Sequence, residues 1–143
     1  MSEVKVKDLA ASALNWAVAR ALGAAGQETG STDLRDSKHW VIPSFAPMRW
    51  DDWTPATDWA QAGPLIQKFG VMLSPPASMM HVNGGPNAGW RETGNWSSTI
   101  FGRDRKHRRA CFDHPTEPLV AAMQTIVQFE FGDCIEVPAD LLP

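Results

Sequence analysis

Arg103-Asp104-Arg105-Lys106-His107-Arg108-Arg109 sets five cations against one acid within seven residues. Guanidinium forks match phosphate oxygens bidentately, so Arg103, Arg105 and Arg108 are candidate phosphate ligands. The bland alternative is a solvated turn whose charge keeps a sheet edge from pairing with other chains. The chain also has seven Trp and no Tyr. Trp50, Trp53, Trp90 and Trp96 are candidate stacking surfaces for a base or for a partner's side chain. Acids and Pro55 flank Trp50 and Trp53, which predicts partial exposure for both. Trp59 is expected in the core beside Leu65, Ile66 and Phe69.

Other clusters fit known chemistry less well. His107, Cys111, His114 and Cys134 are ligand types that zinc prefers, but no C-x2-C pair is present, and on a strand His114 points away from the face shared by 107 and 111. Cys111, between Ala110 and Phe112, reads as a small buried hydrophobe. Asp51, Asp52 and Asp58 lack a partner histidine for acid–base work, and Asp58 is better used in the first turn of a helix. The Gly-rich run Asn83 to Gly89 has no following Lys or helix start, as a phosphate loop requires. No G-x-S-x-G, H-E-x-x-H or C-x-x-C occurs. No catalytic residue, metal site or cofactor is assigned, and the expectation is that the chain is not an enzyme.

The elements that must position these groups follow from periodicity. With 143 residues, one domain spanning 1–143 is expected. A first helix over 8–22 has Leu14, Val18 and Leu22 on one stripe, with Asp8 as its cap and Gly23 as its stop. A second helix over 57–69 starts at Thr57 and must either kink or restart at Pro64. A third over 117–131 opens on Thr116-Glu117-Pro118 and stops at Gly132. Strands are expected at 39–42, 71–73, 96–101 and 108–112, the last two joined by the basic turn, with 89–92 a candidate third beside them. Residues 134–138 read as extended and 139–142 as one turn. Irregular loops are expected at about 24–37 and 74–89. The fold class is α+β: a small antiparallel or mixed sheet of three to five strands packed by about three helices.

Three segments carry a resemblance: Asp8 to Ala19, Pro55-Ala56-Thr57-Asp58-Trp59-Ala60-Gln61-Ala62-Gly63-Pro64-Leu65-Ile66, and Thr116 to Met123 followed by Phe131-Gly132-Asp133 and Val137-Pro138. Together they resemble the NinX-like family of small phage proteins. Their order and spacing are also similar to phage α-β-α sandwich domains. The central segment is the specific one. The resemblance implies phage or prophage origin and an accessory role, and it brings no catalytic residues with it. Ser74 to Arg109 is longer and more basic than the resemblance implies, so a function particular to this chain is expected there.

Charge bounds the partners. The net charge is −3, and because the basic run carries +4 the remainder carries −7; such a chain is not built as a general nucleic-acid binder. No apolar run reaches the ~20 residues of a membrane span, and Met1 to Lys5 has no signal-peptide core. The host cytoplasm is therefore the expected location, with Cys111 and Cys134 as free thiols. The leading expectation is a non-enzymatic binding module that modulates the host by occluding a host protein or sequestering a nucleotide-derived defence signal. The alternative is a nucleic-acid accessory factor using residues 103–109. A homodimer is also expected, from exposed aromatics and an open sheet edge.

Overall fold

The computed structural model describes residues 1–26, 39–76, 79–82, 89–92, 94–101 and 110–143, with backbone alone at Ala11, 79–82, 90–92 and Cys111. Among them are three α-helices: α1 (Ala11–Ala21), α2 (Trp59–Phe69) and α3 (Pro118–Phe131). Ten strands, all paired antiparallel, form four small ladders. They join β1 (Ser2–Lys5) to β10 (Cys134–Val137); β2 (Ala25–Gly26), β3 (His39–Val41) and β4 (Met48–Arg49) in that order; β5 (Met72–Ser74) to β8 (Trp96–Ile100) to β9 (Ala110–His114); and β6 (Met79–Val82) to β7 (Gly89–Glu92). The α+β class is as expected. The single sheet of three to five strands is not, because the strands divide among four ladders.

α3 organises the core. Every side chain from Leu119 to Val127 except Val120 is buried, and the helix packs on α1, α2, β8 and β9. A helix apolar nearly all round must be central, since no side is left for water. Thr116 does not cap its start, which has no side-chain cap; the turn before it is held instead by His114 Nδ1, which accepts the N–H groups of Glu117 at 2.9 Å and Thr116 at 3.2 Å. Gly132, at φ 88°, ends the helix where an L side chain would be strained.

α1 begins at Ala11, two residues later than the Asp8 cap implies. Val6–Asp8 is instead a separate 3-10 turn. Gln124 of α3 donates from Nε2 to the carbonyls of Leu9 at 3.1 Å and Lys7 at 3.3 Å. Val6 and Leu9 are buried. Carbonyls held by Gln124 and side chains held in the core keep this segment from joining the helix.

α2 begins at Trp59 because Asp58, not Thr57, is the cap: its Oδ1 accepts Ala60 N–H at 2.9 Å. The Thr57 hydroxyl donates instead to the Thr54 carbonyl at 3.3 Å. The helix runs through Pro64 without a restart. At its end the Val71 N–H reaches back to the Ile66 carbonyl, with Gly70 left-handed at φ 65°.

Several strands depart from expectation. Met79–Val82, placed in an irregular stretch, forms β6 and pairs with Gly89–Glu92, which therefore does not extend the β8–β9 pair. Only Val82 among the β6 residues favours strand strongly, so the pairing partner supplies what propensity lacks. Ser2–Lys5 also becomes a strand because Cys134–Val137 is there to pair with it. The β8–β9 hairpin is as expected, with Ile100 opposite Ala110 on either side of the basic run.

Candidate functional site

The tryptophans fall into two groups. Trp50 opens a 3-10 turn, Trp50–Asp52, that leaves Asp51 and Asp52 exposed and sends Trp53 inward. Trp53 is only 1% exposed. Its Nε1–H donates to the Asn15 carbonyl at 2.9 Å, and its ring meets Phe45 edge-on at 5.3 Å. The expected exposure of Trp53 is thus corrected: its polar edge finds a partner on α1, which removes the cost of burying it. Trp50 is half-buried, with its ring centroid 4.4 Å from that of buried Trp40.

Trp59 reverses in the other direction, at 56% exposed. The expectation placed it on the face of Leu65, Ile66 and Phe69. As the first residue of α2, however, it lies a turn before Ala62, the first buried position of that helix. Trp96 is half-buried at the start of β8, opposite His114. Trp90 lies on β7, with its side chain outside the described residues. Arg103, Arg105 and Arg108 also lie outside them, as does the rest of the basic run. Of the zinc candidates, His107 and the Cys111 side chain are outside the described residues, while His114 Nδ1 is occupied by two backbone N–H groups.

A different set of residues forms a hollow. Lys5 at the end of β1, Lys7 in the turn after it, Phe112 on β9, Gln128 on α3, and Asp133 and Cys134 at the start of β10 line a space of about 310 Å³. Two backbone features fix its rim: Lys5 sits opposite Cys134 in the ladder, and Val6 N–H donates to the Asp133 carbonyl at 2.9 Å. Val6 is buried while the lysines on either side of it are exposed. Gln128 Nε2 donates to Asp133 Oδ1 at 2.9 Å. Among the described residues neither lysine is engaged in an ion pair.

A second hollow of about 290 Å³ shares Cys134 with the first and is otherwise lined by Met1, Trp16, Arg20, Phe131, Ile135 and Glu136. The Arg20 guanidinium carbon is 5.8 Å from the centre of the Trp16 ring.

Chemically, the first hollow offers two ammonium groups, half of an aromatic ring and an amide–carboxylate pair. Lysine ammonium groups bind anions as point charges, and with one acid against two cations the hollow favours a negative ligand. Sequence reasoning missed it because its residues come from four distant segments with no local motif. Phe112, Gln128, Asp133 and Cys134 each belonged to a recognised element or segment, but no pattern joined them to one another or to Lys5 and Lys7.

Among the described residues no helix is long and apolar enough to cross a membrane, and no three His, Cys, Asp or Glu side chains converge to hold a metal ion. No curated protein matches the chain. The family description "Bacteriophage P22, NinX" matches residues 5–129, which include α1, α2 and all but the last two residues of α3, the tryptophan turn and most of the lining of the first hollow. The chain belongs to the phage P22 NinX family, and is a phage accessory protein of that kind.

Proposed function

We propose that this protein is a non-enzymatic binding module that counteracts host defence, either by occupying a host protein or by sequestering a nucleotide-derived signal. The observation that carries this reading is the hollow at the β1–β10 end. There two lysines that make no ion pair among the described residues share a space of about 310 Å³ with the half-buried Phe112 ring. That volume is at the lower end of small-molecule sites, roughly 300–1,000 Å³. The family membership supports a phage accessory setting. Trp50 and Trp96, both half-buried, and Trp90, Arg103, Arg105 and Arg108 remain proposed contacts. Trp53 is withdrawn, because its ring is enclosed and its N–H is used.

The direct test is calorimetry of the purified protein against cyclic nucleotides and ADP-ribose derivatives, alongside capture of proteins from host lysate. Binding of one class with no chemical change in the ligand fits the proposal. Turnover of any of these ligands defeats it.

A nucleic-acid accessory role is the second reading, favoured by five cations in the seven residues from Arg103 to Arg109. It requires affinity that falls steeply with salt and is lost when Arg105, Lys106 and Arg108 become Ala. A homodimer in the host cytoplasm is part of the leading proposal. β5, an outer strand of its ladder with Met72 exposed, is the edge we assign to self-association. Sedimentation of the wild type against Met72→Lys tests this.

A further inference from the structure

Resting on the binding-module reading above, we infer that the hollow between β9 and the Lys5–Cys134 end of the β1–β10 ladder is a site for a single nucleotide unit. Its phosphate lies at Lys5 and Lys7, its base lies against Phe112, and a ribose hydroxyl donates to Asp133. Each contact follows from the chemistry of the lining. Lys5 and Lys7 flank buried Val6 and both line the hollow, so two ammonium groups are available to one dianionic phosphate. Tying Val6 N–H to the Asp133 carbonyl fixes the backbone between them, which lowers the ordering cost of binding. Phe112 packs on the core with one side and faces the hollow with the other. A half-buried ring held in this way is a stacking platform, and stacking is indifferent to base identity. Asp133 uses Oδ1 to accept from Gln128, which orients the carboxylate and leaves Oδ2 for a hydroxyl donor. A carboxylate beside two lysines also disfavours ligands that are anionic at every point, such as inorganic polyphosphate.

Size narrows the class further. About 310 Å³ suits one base, one sugar and one phosphate, and is small for a dinucleotide. The order of preference is therefore a mononucleotide above ADP-ribose, with nucleosides and free phosphate each lacking half of the contacts.

Calorimetry with the full chain tests this, using AMP, cyclic AMP, ADP-ribose, adenosine and inorganic phosphate as separate ligands. The expected result is one saturable site for a mononucleotide. Adenosine and phosphate should each bind at least tenfold more weakly than the mononucleotide, and Lys5→Ala with Lys7→Ala should weaken mononucleotide binding at least tenfold. Both lysines are exposed, so that double variant folds, and an unchanged thermal midpoint verifies it. Phe112→Leu preserves apolar packing and should cut mononucleotide affinity several-fold while leaving phosphate affinity alone. Mononucleotide affinity unchanged in the double lysine variant would overturn the site assignment. Absence of mononucleotide binding, with host-protein capture that still depends on Lys5 and Lys7, would overturn the nucleotide class and leave the binding-module reading standing. Loss of both kinds of binding would remove both.

Discussion

Trp53 and Asn15, 38 residues apart, are joined by a 2.9 Å bond from the indole Nε1–H to the Asn15 backbone carbonyl. The Asn15 side chain completes the link, its Oδ1 accepting the Ala56 N–H at 3.1 Å. One buried asparagine on α1 therefore fixes both ends of the turn that leads into α2. Asn15→Ala strands the Ala56 N–H in a buried setting, where a lost partner costs about 1–3 kcal/mol. Urea unfolding followed by circular dichroism should show a lower midpoint at unchanged slope. A loss below about 0.5 kcal/mol, the range of ordinary surface changes, would mean that water or a shifted side chain replaces the bond.

Trp59 and Trp53 should respond in opposite ways to truncation. Trp59, with more than half its surface exposed, contacts the core little, so Trp59→Ser should cost no more than about 0.5 kcal/mol. Trp53→Ala should cost about 3–5 kcal/mol, as removal of a buried ring usually does. Thermal unfolding of the two variants side by side checks the ranking. Equal losses would show that the Trp59 ring is covered in solution, by a second copy for example.

That pair of residues also shows what could be read from the sequence. α3 was legible nearly to the residue, because Pro118 and Gly132 are local signals and its apolar content is high throughout. The β8–β9 hairpin was legible from alternation on both sides of a charged turn. The orientation of Trp53 and Trp59 was not, because it depends on what Asn15 and Asp58 bond to, and those partners are set by the fold. β1 was invisible for the same reason: Ser2–Lys5 becomes a strand only once Cys134–Val137 lies beside it. The hollow was the least legible feature, since Lys5, Phe112, Gln128 and Asp133 meet only after every ladder and helix is placed. Charge clustering pointed to residues 103–109 instead, because a run of like charges is a local signal and a converging pair of lysines is not.

His114 braces the turn that leads into α3. Its Nδ1 accepts the N–H groups of Thr116 and Glu117, the two residues before the helix. His114→Ala removes both bonds and should cost about 0.5–1.5 kcal/mol, the net worth of an ordinary hydrogen bond. His114→Asn keeps a side-chain acceptor and should recover part of that loss. If the two variants melt together, the imidazole contributes packing rather than these bonds.

Pro64 stands inside α2 at an exposed position. It has no N–H to give the Ala60 carbonyl, and its ring crowds that same carbonyl. Pro64→Ala restores the missing bond. The helix-interior difference between Pro and Ala is about 3 kcal/mol. Part of it is offset because proline also restricts the unfolded chain, an effect of about 0.4–1 kcal/mol. A net gain of about 2–2.6 kcal/mol is expected, read as a higher thermal midpoint. A lower midpoint would show that the helix bends at Pro64 to make contacts that a straight helix loses.

The β1–β10 ladder contains a built-in repulsion. Glu3 and Glu136 are direct partners in its register, both exposed, and like charges placed opposite one another on a sheet destabilise it. Glu136→Lys converts the pair to opposite charges beside Glu3 and should stabilise the fold by about 0.2–1 kcal/mol. The gain should be greatest in dilute buffer and shrink in 1 M salt, where the screening length falls to about 3 Å. Because Lys5 lies two residues from Glu3 on the same ladder, the new cation also raises the positive potential at the hollow. Glu136→Lys should therefore strengthen anion binding there while Glu136→Gln changes it less, an order that titration with AMP at two salt concentrations can establish. Stabilisation that persists undiminished at high salt would assign the effect to side-chain packing instead of charge.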